Sequence, residues 1–515
     1  MRKLFALLLS AICIAVPSFG GRNCDIFIYG GTSAGVIAAR SAASQGKTVV
    51  IVEPTKHIGG LTTGGLGWTD IGKKQELKGL AAEFYQDIGK HYGARGGKLV
   101  FEPKVASAIY AGYLDQPGIT VLKNTGIRKL VKSGKRIKYA VVAGLDAKGK
   151  FAGRPQKIKA KIFIDASYEG DLLPLSGVTF TTGRESSKKY GENWNGFHFA
   201  RYHQFPDGVD PYVKEGDPQS GLLWGISSSG PSPEGDGDGL IQAYNQRVCL
   251  TDSTENRIPI TEPDNYDASR YELLARLMAA QKPDAKYFIW SPMPGRKTDI
   301  NNYGGFSTDM IGMNYDYIGA TYERRVQILD AHTDYTKGLF WFILTDPRVP
   351  EKLSKEISRW GYPKDEYPEN GHWTPQLYVR EGRRMVSDYV VTQADCEGKT
   401  RAEDGIAEAA YMMDSHNCQR VVVEKDGRRM VKNEGDVEIK IPGPYPISYR
   451  AIVPSADECS NLLVPVCLSA SHIAYGSIRM EPVFMSLGEV AARAAVQAID
   501  KSCTVQEVDW RSVRL

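Results

Sequence analysis

Apolar and polar positions fall into blocks along this chain, and the first sharp block is Cys24–Tyr29, with Ile26, Phe27 and Ile28 in succession. A short unbroken apolar run bounded by turn formers predicts a buried strand. Gly30, Gly31, Thr32, Ser33, Ala34 and Gly35 follow, and Val36, Ile37, Ala38, Ala39 and Arg40 then open a small-residue helix that closes at Gly46. A second apolar run, Thr48–Val52, predicts a second strand, and it ends on Glu53. The order is strand, glycine turn, helix, strand: a βαβ unit with an acid at the tip of its second strand.

Each part of that unit has a physical task. Gly30 makes the tight turn, Gly35 lets helix and sheet approach, and the helix N-terminus offers unpaired N–H groups to a pyrophosphate. Glu53 is spaced to accept both hydroxyls of an adenosine ribose. The usual G-x-G-x-x-G carries Thr32 at its middle glycine, which requires the Thr32 backbone to admit the phosphate. Beyond Glu53 come His57, Gly59, Gly60, Leu61, Thr62, Gly64 and Gly65. A double glycine just past the acidic strand end lets backbone lie against an extended cofactor, and favours FAD over NAD. His57 stands near the position where some flavoproteins attach FAD covalently.

Late in the chain, Leu462–Leu468 repeats the buried-strand pattern and leads through Ser469, Ala470 and Ser471 to His472. Glu481-Pro482 then opens a helix whose apolar positions Val483, Leu487, Val490, Ala494 and Ala498 recur at three- and four-residue spacing. Pro482 suits the first turn, where a missing N–H costs nothing.

Composition excludes more than it selects. Of 515 residues 42% are hydrophobic and 24% charged, as in ordinary globular proteins, and Lys plus Arg (64) nearly balances Asp plus Glu (60). With no dense basic block, nucleic acid is not expected as a partner. Arg2 and Lys3 before the apolar run Leu4–Val16, then Pro17–Gly20, read as a signal peptide over 1–20, too short to span a bilayer. That places the mature protein in the periplasm or outside the cell. Eight cysteines, one of them in the leader, show no metal or disulfide spacing, and no metal site is expected.

The motifs Tyr29–Gly35, Glu53–Gly60, Phe163–Asp171, Leu377–Arg384 and Asn461–Leu487 together resemble the secreted bacterial FAD-dependent oxidoreductases of the glutathione-reductase-like flavoprotein superfamily, some of which are labelled "xanthan lyase". The resemblance implies an α/β fold: a Rossmann-like FAD-binding domain of glutathione-reductase type (21–181 and 441–515) with an inserted α+β substrate domain (182–440). It further implies that Gly30–Gly35, Glu53 and Gly59–Thr62 hold FAD. It places Ile127 at the adenine, Asp165 and Ala166 where the chain returns to the dinucleotide half, and Glu481, Pro482 and Val483 at the flavin pyrimidine. Asp171 and Glu169 read equally as structural caps or as catalysts.

Hydride removal from an alcohol needs a base, and desaturation beside a carboxylate needs a cation. His472 and Arg479 flank the expected flavin end. Arg380 and Arg383 come from the insert, where Arg380 and Arg384 could share a helical face. The insert is rich in aromatics and turn formers, which suit sugar rings. The expected activity is oxidation of a small organic substrate, a sugar or glycan fragment, with electrons passing to an unidentified acceptor such as a quinone, oxygen or a carrier protein. Alternatives are desaturation or reduction of a carboxylate or ketone, redox-assisted glycosidic cleavage, or flavin or glycan binding without catalysis.

Overall fold

Five strands, each apolar on both faces, have only one stable place, a sheet covered on both sides, and the chain builds it from widely separated segments. The computed structural model describes residues 21–282 and 284–515; the leader expected at 1–20 lies outside the described residues. The central parallel sheet runs Leu462–Leu463, Ile162–Asp165, Ile26–Tyr29, Val49–Val52, Ile119–Leu122 in spatial order. Ile26 registers with Val49 on one side and Ile162 on the other, and Leu462 registers with Phe163. The first and last segments of the chain thus share one sheet. Of the expected strand Leu462–Leu468 only its first two residues pair; the rest runs as buried irregular chain.

The helix after the glycine turn, Ser33–Ser44, packs against the long helix Glu481–Asp500. Contact is closest at Gly488, where a Cβ would fall 2.4 Å from the Ala34 carbonyl oxygen. Beside the sheet, Thr125–Ser133, Arg136–Leu145 and Phe151–Lys159 form an antiparallel meander, and Gly21–Asn23 pairs parallel with its last strand. Arg384–Met385 is a two-residue strand on Phe180–Thr181, and no helix forms over 380–384. The expected shared helical face of Arg380 and Arg384 therefore does not exist. The two side chains are set by separate buried partners, as described below.

A second core belongs to the insert. It gathers Phe205, Val248, Leu250, Tyr271, Phe306 and Tyr335 around a five-stranded antiparallel sheet and the helix Tyr322–Thr345. From Leu377 onward the insert buries its apolar residues (Val379, Met385, Ile406, Met413) in the core of the cofactor lobe. Among the described residues no helix is long and apolar enough to cross a membrane, and Cys24, Cys249, Cys396, Cys418, Cys459, Cys467 and Cys503 are free thiols.

One buried cation ties the segments together. Lys297 Nζ lies 2.7 Å from Glu102, 2.9 Å from Asp365 and 2.7 Å from Glu366. Its side chain is wholly buried, so removing the ammonium leaves the buried Glu366 without a countercharge, while Glu102 and Asp365 keep only Lys104. Lys297→Met is expected to cost about 3–5 kcal/mol, measured as a lowered midpoint in urea unfolding.

Candidate active site

The glycine turn is shaped by what presses on it. Gly30 has φ +99°, and a Cβ there would sit 2.6 Å from the Ser167 amide. A Cβ on Gly35 would lie 2.1 Å from the Gly30 carbonyl oxygen. Thr32 caps the helix: its hydroxyl accepts from Gly35 N–H and donates to the Ala166 carbonyl at 2.7 Å. The N–H groups of the first turn, Ser33 and Ala34, have no acceptor within the helix. Thr32 in place of the middle glycine therefore serves as the cap while leaving these amides open.

A cavity of about 490 Å³ runs along this turn, lined among others by Gly30, Thr32, Glu53, Gly60, Ser167 and Tyr168. Glu53 accepts from Gly31 N–H at 2.8 Å with one oxygen and from Thr55 N–H and hydroxyl with the other. Burial pushes its carboxyl up to about 7, against the pull of those donors. Gly60 has φ +55°, and a Cβ there would meet the Tyr168 hydroxyl at 2.3 Å. Leu61 N–H donates to that hydroxyl, which donates to Glu481 at 2.7 Å. Ser33 (2.5 Å) and Thr62 (2.7 Å) donate to the other oxygen of Glu481. Gly59 opens the short helix Gly60–Thr63, and Pro482 and Val483 continue the first turn begun by Glu481. Gly30–Gly35, Glu53, Gly59–Thr62, Ala166 and Glu481–Val483 are thus one neighbourhood. A cradle without side chains, an open helix N-terminus and an acid at its rim fit a dinucleotide.

Other expected site residues lie elsewhere. Ile127 donates its N–H to the Tyr322 hydroxyl and lines a second cavity, of about 480 Å³, beside the first. Asp165 is a structural acceptor: it takes Ser167 N–H and hydroxyl and, at 2.7 Å, Leu172 N–H, and burial raises it to about 7. Asp171 is held by Arg325 (2.6 and 2.7 Å) and Arg383 (3.0 Å), which fixes Arg383 in an ion pair. His57 lies on the Gly60 carbonyl and the Thr63 hydroxyl, and burial lowers it to about 4. His472 is 1% exposed, with Nδ1 on Glu381 at 2.7 Å and Nε2 on Ser415 at 3.1 Å. Burial, then the nearby Arg384, brings it down to about 3. With both nitrogens engaged and its side chain buried, His472 is a neutral core residue. Arg384 is buried on Glu185 and Glu381.

A further cavity, of about 420 Å³, lies across the chain segments that line the first. Gly60 lines the first cavity and Trp68 and Asp70 the other; Leu377 lines the first and Tyr378 the other. Arg479 lines this cavity too, donating to the Tyr378 hydroxyl at 2.7 Å and lying 3.3 Å from Asp414. His416, which local sequence does not mark, is also on its wall. Its Nδ1 is 2.7 Å from Asp309, which accepts from Arg380 at 2.9 Å. Against the cost of burial, Arg380 and then His416 hold Asp309 down at about 2, so Asp309 is an anion and Nδ1 carries the proton. Burial, then Arg380, lowers His416, which favours its neutral form, and its Nε2 faces Asp414 Oδ1 at 3.9 Å. Arg380 acts here through Asp309, from a fully buried position. Asp309 and His416 lie 107 residues apart, and only the fold joins them.

The sequence matches the FAD dependent oxidoreductase family over residues 25–515. The chain belongs to that family. It is an FAD-dependent oxidoreductase, and FAD is its cofactor. Among curated proteins no match is found. Solved structures similar to the oxidoreductase include a triple mutant of the flavin-dependent brominase Bmp2 (10% identity, 95% of this chain and 82% of that one, TM-score 0.34). THI4 of Thermovibrio ammonificans (20% identity, 32% and 66%, TM-score 0.24) and L-proline dehydrogenase of P. horikoshii (18% identity, 33% and 25%, TM-score 0.20) are others. The oxidoreductase spans about two thirds of the THI4 chain and a quarter of the proline dehydrogenase.

Glu53 can accept two ribose hydroxyls only as an anion, and its carboxyl is up at about 7 before cofactor enters. FAD affinity is therefore expected to fall as pH drops from 8 to 6, by up to about tenfold per unit below the titration, with a flatter profile in Glu53→Gln. Fluorescence titration of FAD into stripped protein measures both. The same shift costs the FAD-free fold stability as pH rises from 4.5 to about 7, visible in its melting temperature.

Proposed function

We propose that this enzyme oxidises a hydroxyl group of a neutral sugar or glycan fragment to a carbonyl, outside the cytoplasm, on a cofactor domain of glutathione-reductase type. The observation that carries this reading is His416: it lines the cavity, Asp309 holds its Nδ1 proton at 2.7 Å, and its Nε2 makes no hydrogen bond among the described residues, with Asp414 3.9 Å away. That is the arrangement a general base needs to take a hydroxyl proton. When bound, FAD supplies the acceptor for the hydride that leaves the same carbon. Arg380 and Asp309 keep the imidazole oriented and stabilise it once it is protonated.

The cavity's charge supports a neutral polyol over a carboxylate. Each lining arginine already has an acid, Arg479 with Asp414 and Arg247 with Asp299 at 2.9 and 2.5 Å. Asp70 adds a further carboxyl, raised by burial to about 6. An anionic substrate would meet a surplus of acids, whereas hydroxyls find acceptors in Asp70 and Asp414 and a broad apolar face in Trp68. Since the sequence carries no second dinucleotide turn, a quinone, oxygen or a carrier protein is proposed as the final electron acceptor.

Anaerobic mixing with a panel of sugars, organic acids and amino acids, followed by bleaching of the flavin absorbance, tests the reading; bleaching by acids alone would overturn it. His416→Asn is expected to slow bleaching by about 10²–10⁴-fold at full flavin content. Because His416 is pushed below its ordinary 6.5, the wild-type rate should stay level down through pH 6.5 and fall only in more acid solution. A rate that already halves near pH 6.5 would contradict the assignment.

A further inference from the structure

The wall of the substrate cavity does not stop at its mouth. Asn301 lines the cavity, and two residues on stands Tyr303, 40% exposed. The Tyr303 ring meets the imidazole of His203 edge to face, with centroids 5.6 Å apart. His203 Nδ1 accepts from Gly304 N–H at 3.1 Å, so Nε2 carries the proton and donates it to Glu438 at 3.0 Å. Glu438 pairs directly across strands with Asp414, which lines the cavity again. Asn301 and Asp414 thus belong to the cavity wall, and Tyr303, His203 and Glu438 connect them as a border beyond it.

Although Asp436 completes a metal-ligand-like group with His203 and Glu438, the proton on Nε2 occupies the position that a metal would need. The set reads better as a rigid support for what lies on it. Tyr202 (59% exposed) and Phe199 (46%) stand exposed on the segment that carries His203. That segment is pinned to the strand region beneath it by Asn433 donating to the His203 carbonyl at 2.7 Å and by Gly435 N–H donating to the His198 carbonyl. Trp68 and Ile289 (43% exposed each) lie on the cavity itself, so with Tyr303 three of the nine exposed large hydrophobic side chains among the described residues belong to its wall or the chain just beyond it. A soluble protein rarely concentrates exposed apolar side chains without a ligand for them.

We propose that this border is an extended subsite for the rest of a sugar chain whose terminal unit occupies the cavity, so that the enzyme acts on oligosaccharides in preference to monosaccharides. The inference rests on the alcohol-oxidation reading and specifies its substrate. Flat aromatic faces at Tyr303 and Tyr202 receive the C–H faces of successive rings, and Asn301 and Glu438 between them pair with ring hydroxyls. The placement is continuous with the cavity, which is what chain recognition requires.

The test uses the flavin-loaded protein and gluco-, manno- and xylo-oligosaccharides of one to five units. For the sugar that bleaches the flavin, the half-saturating concentration should fall at least about tenfold from one unit to three. Tyr303→Ala and Tyr202→Ala should each raise the value for the longer chain about five- to tenfold and leave that for the single unit unchanged. Tyr303→Phe, which keeps the ring, should behave as wild type, and flavin content and melting temperature confirm folding. Equal affinity for all lengths, or variants that alter one unit and many alike, would overturn the subsite while leaving alcohol oxidation intact. If no sugar bleaches the flavin, the oxidation reading falls. Calorimetric binding of the same sugars then decides the border alone: binding that is lost in Tyr303→Ala keeps it, and no binding removes it.

Discussion

A carboxylate buried to 4% exposure must find hydrogen-bond donors or lose its charge, and Glu481 finds three, each from a different part of the chain. Ser33 belongs to the glycine-turn helix, Thr62 to the short helix behind the double glycine, and Tyr168 to the segment leaving the sheet. Glu481 itself begins the long C-terminal helix. Three of the segments that border the dinucleotide cavity are therefore referred to one acid. Burial raises its carboxyl and the three hydroxyls oppose that shift, so the cluster's polarity depends on all three donors being in place. The close passage of Gly488 over Ala34 sets the helix that delivers this acid.

The second site follows a different economy. In it Arg380 is matched to Asp309, Asp309 to His416, Arg479 to Tyr378 and Asp414, and Arg247 to Asp299. Charges balanced in this way leave little for an ionic substrate, and they fix geometry tightly, because Arg380, Asp309, Arg479, Arg247 and Asp299 are buried and cannot relax into water. One imidazole, that of His416, keeps a nitrogen outside this pairing: its Nε2 makes no hydrogen bond among the described residues and lies 3.9 Å from Asp414. The two cavities remain coupled, since the segments around 60–70 and 375–378 line both.

The βαβ unit was legible because its information is local: an apolar run, a turn, a small-residue helix and an acid, all within about thirty residues. Gly30, Gly35 and Glu53 are legible on that basis, whereas Glu481, far along the chain, is expected only through the family resemblance. His416 is not legible, because nothing around Ser415-His416-Asn417 differs from an ordinary polar loop, and its meaning comes from Asp309 across the fold. His472 illustrates the converse error. A histidine at the end of an apolar stretch resembles a catalyst until the fold places Glu381 on one nitrogen and Ser415 on the other. Arg380 and Arg384 looked like one helical face because spacing was the only information, and the backbone there is not helical.

The pairing of Phe163 with Leu462 has a consequence for how the protein is made. Nearly three hundred residues, the whole insert among them, separate the two, so a ribosome must deliver the insert before the sheet can acquire its final edge. Until then the nascent cofactor lobe exposes an unpaired strand, a known route to misassociation. Glu481 arrives later still, and with it the anchor of the turn that receives FAD. Cofactor capture is thereby tied to the completion of synthesis, and an interrupted chain would be expected to remain colourless.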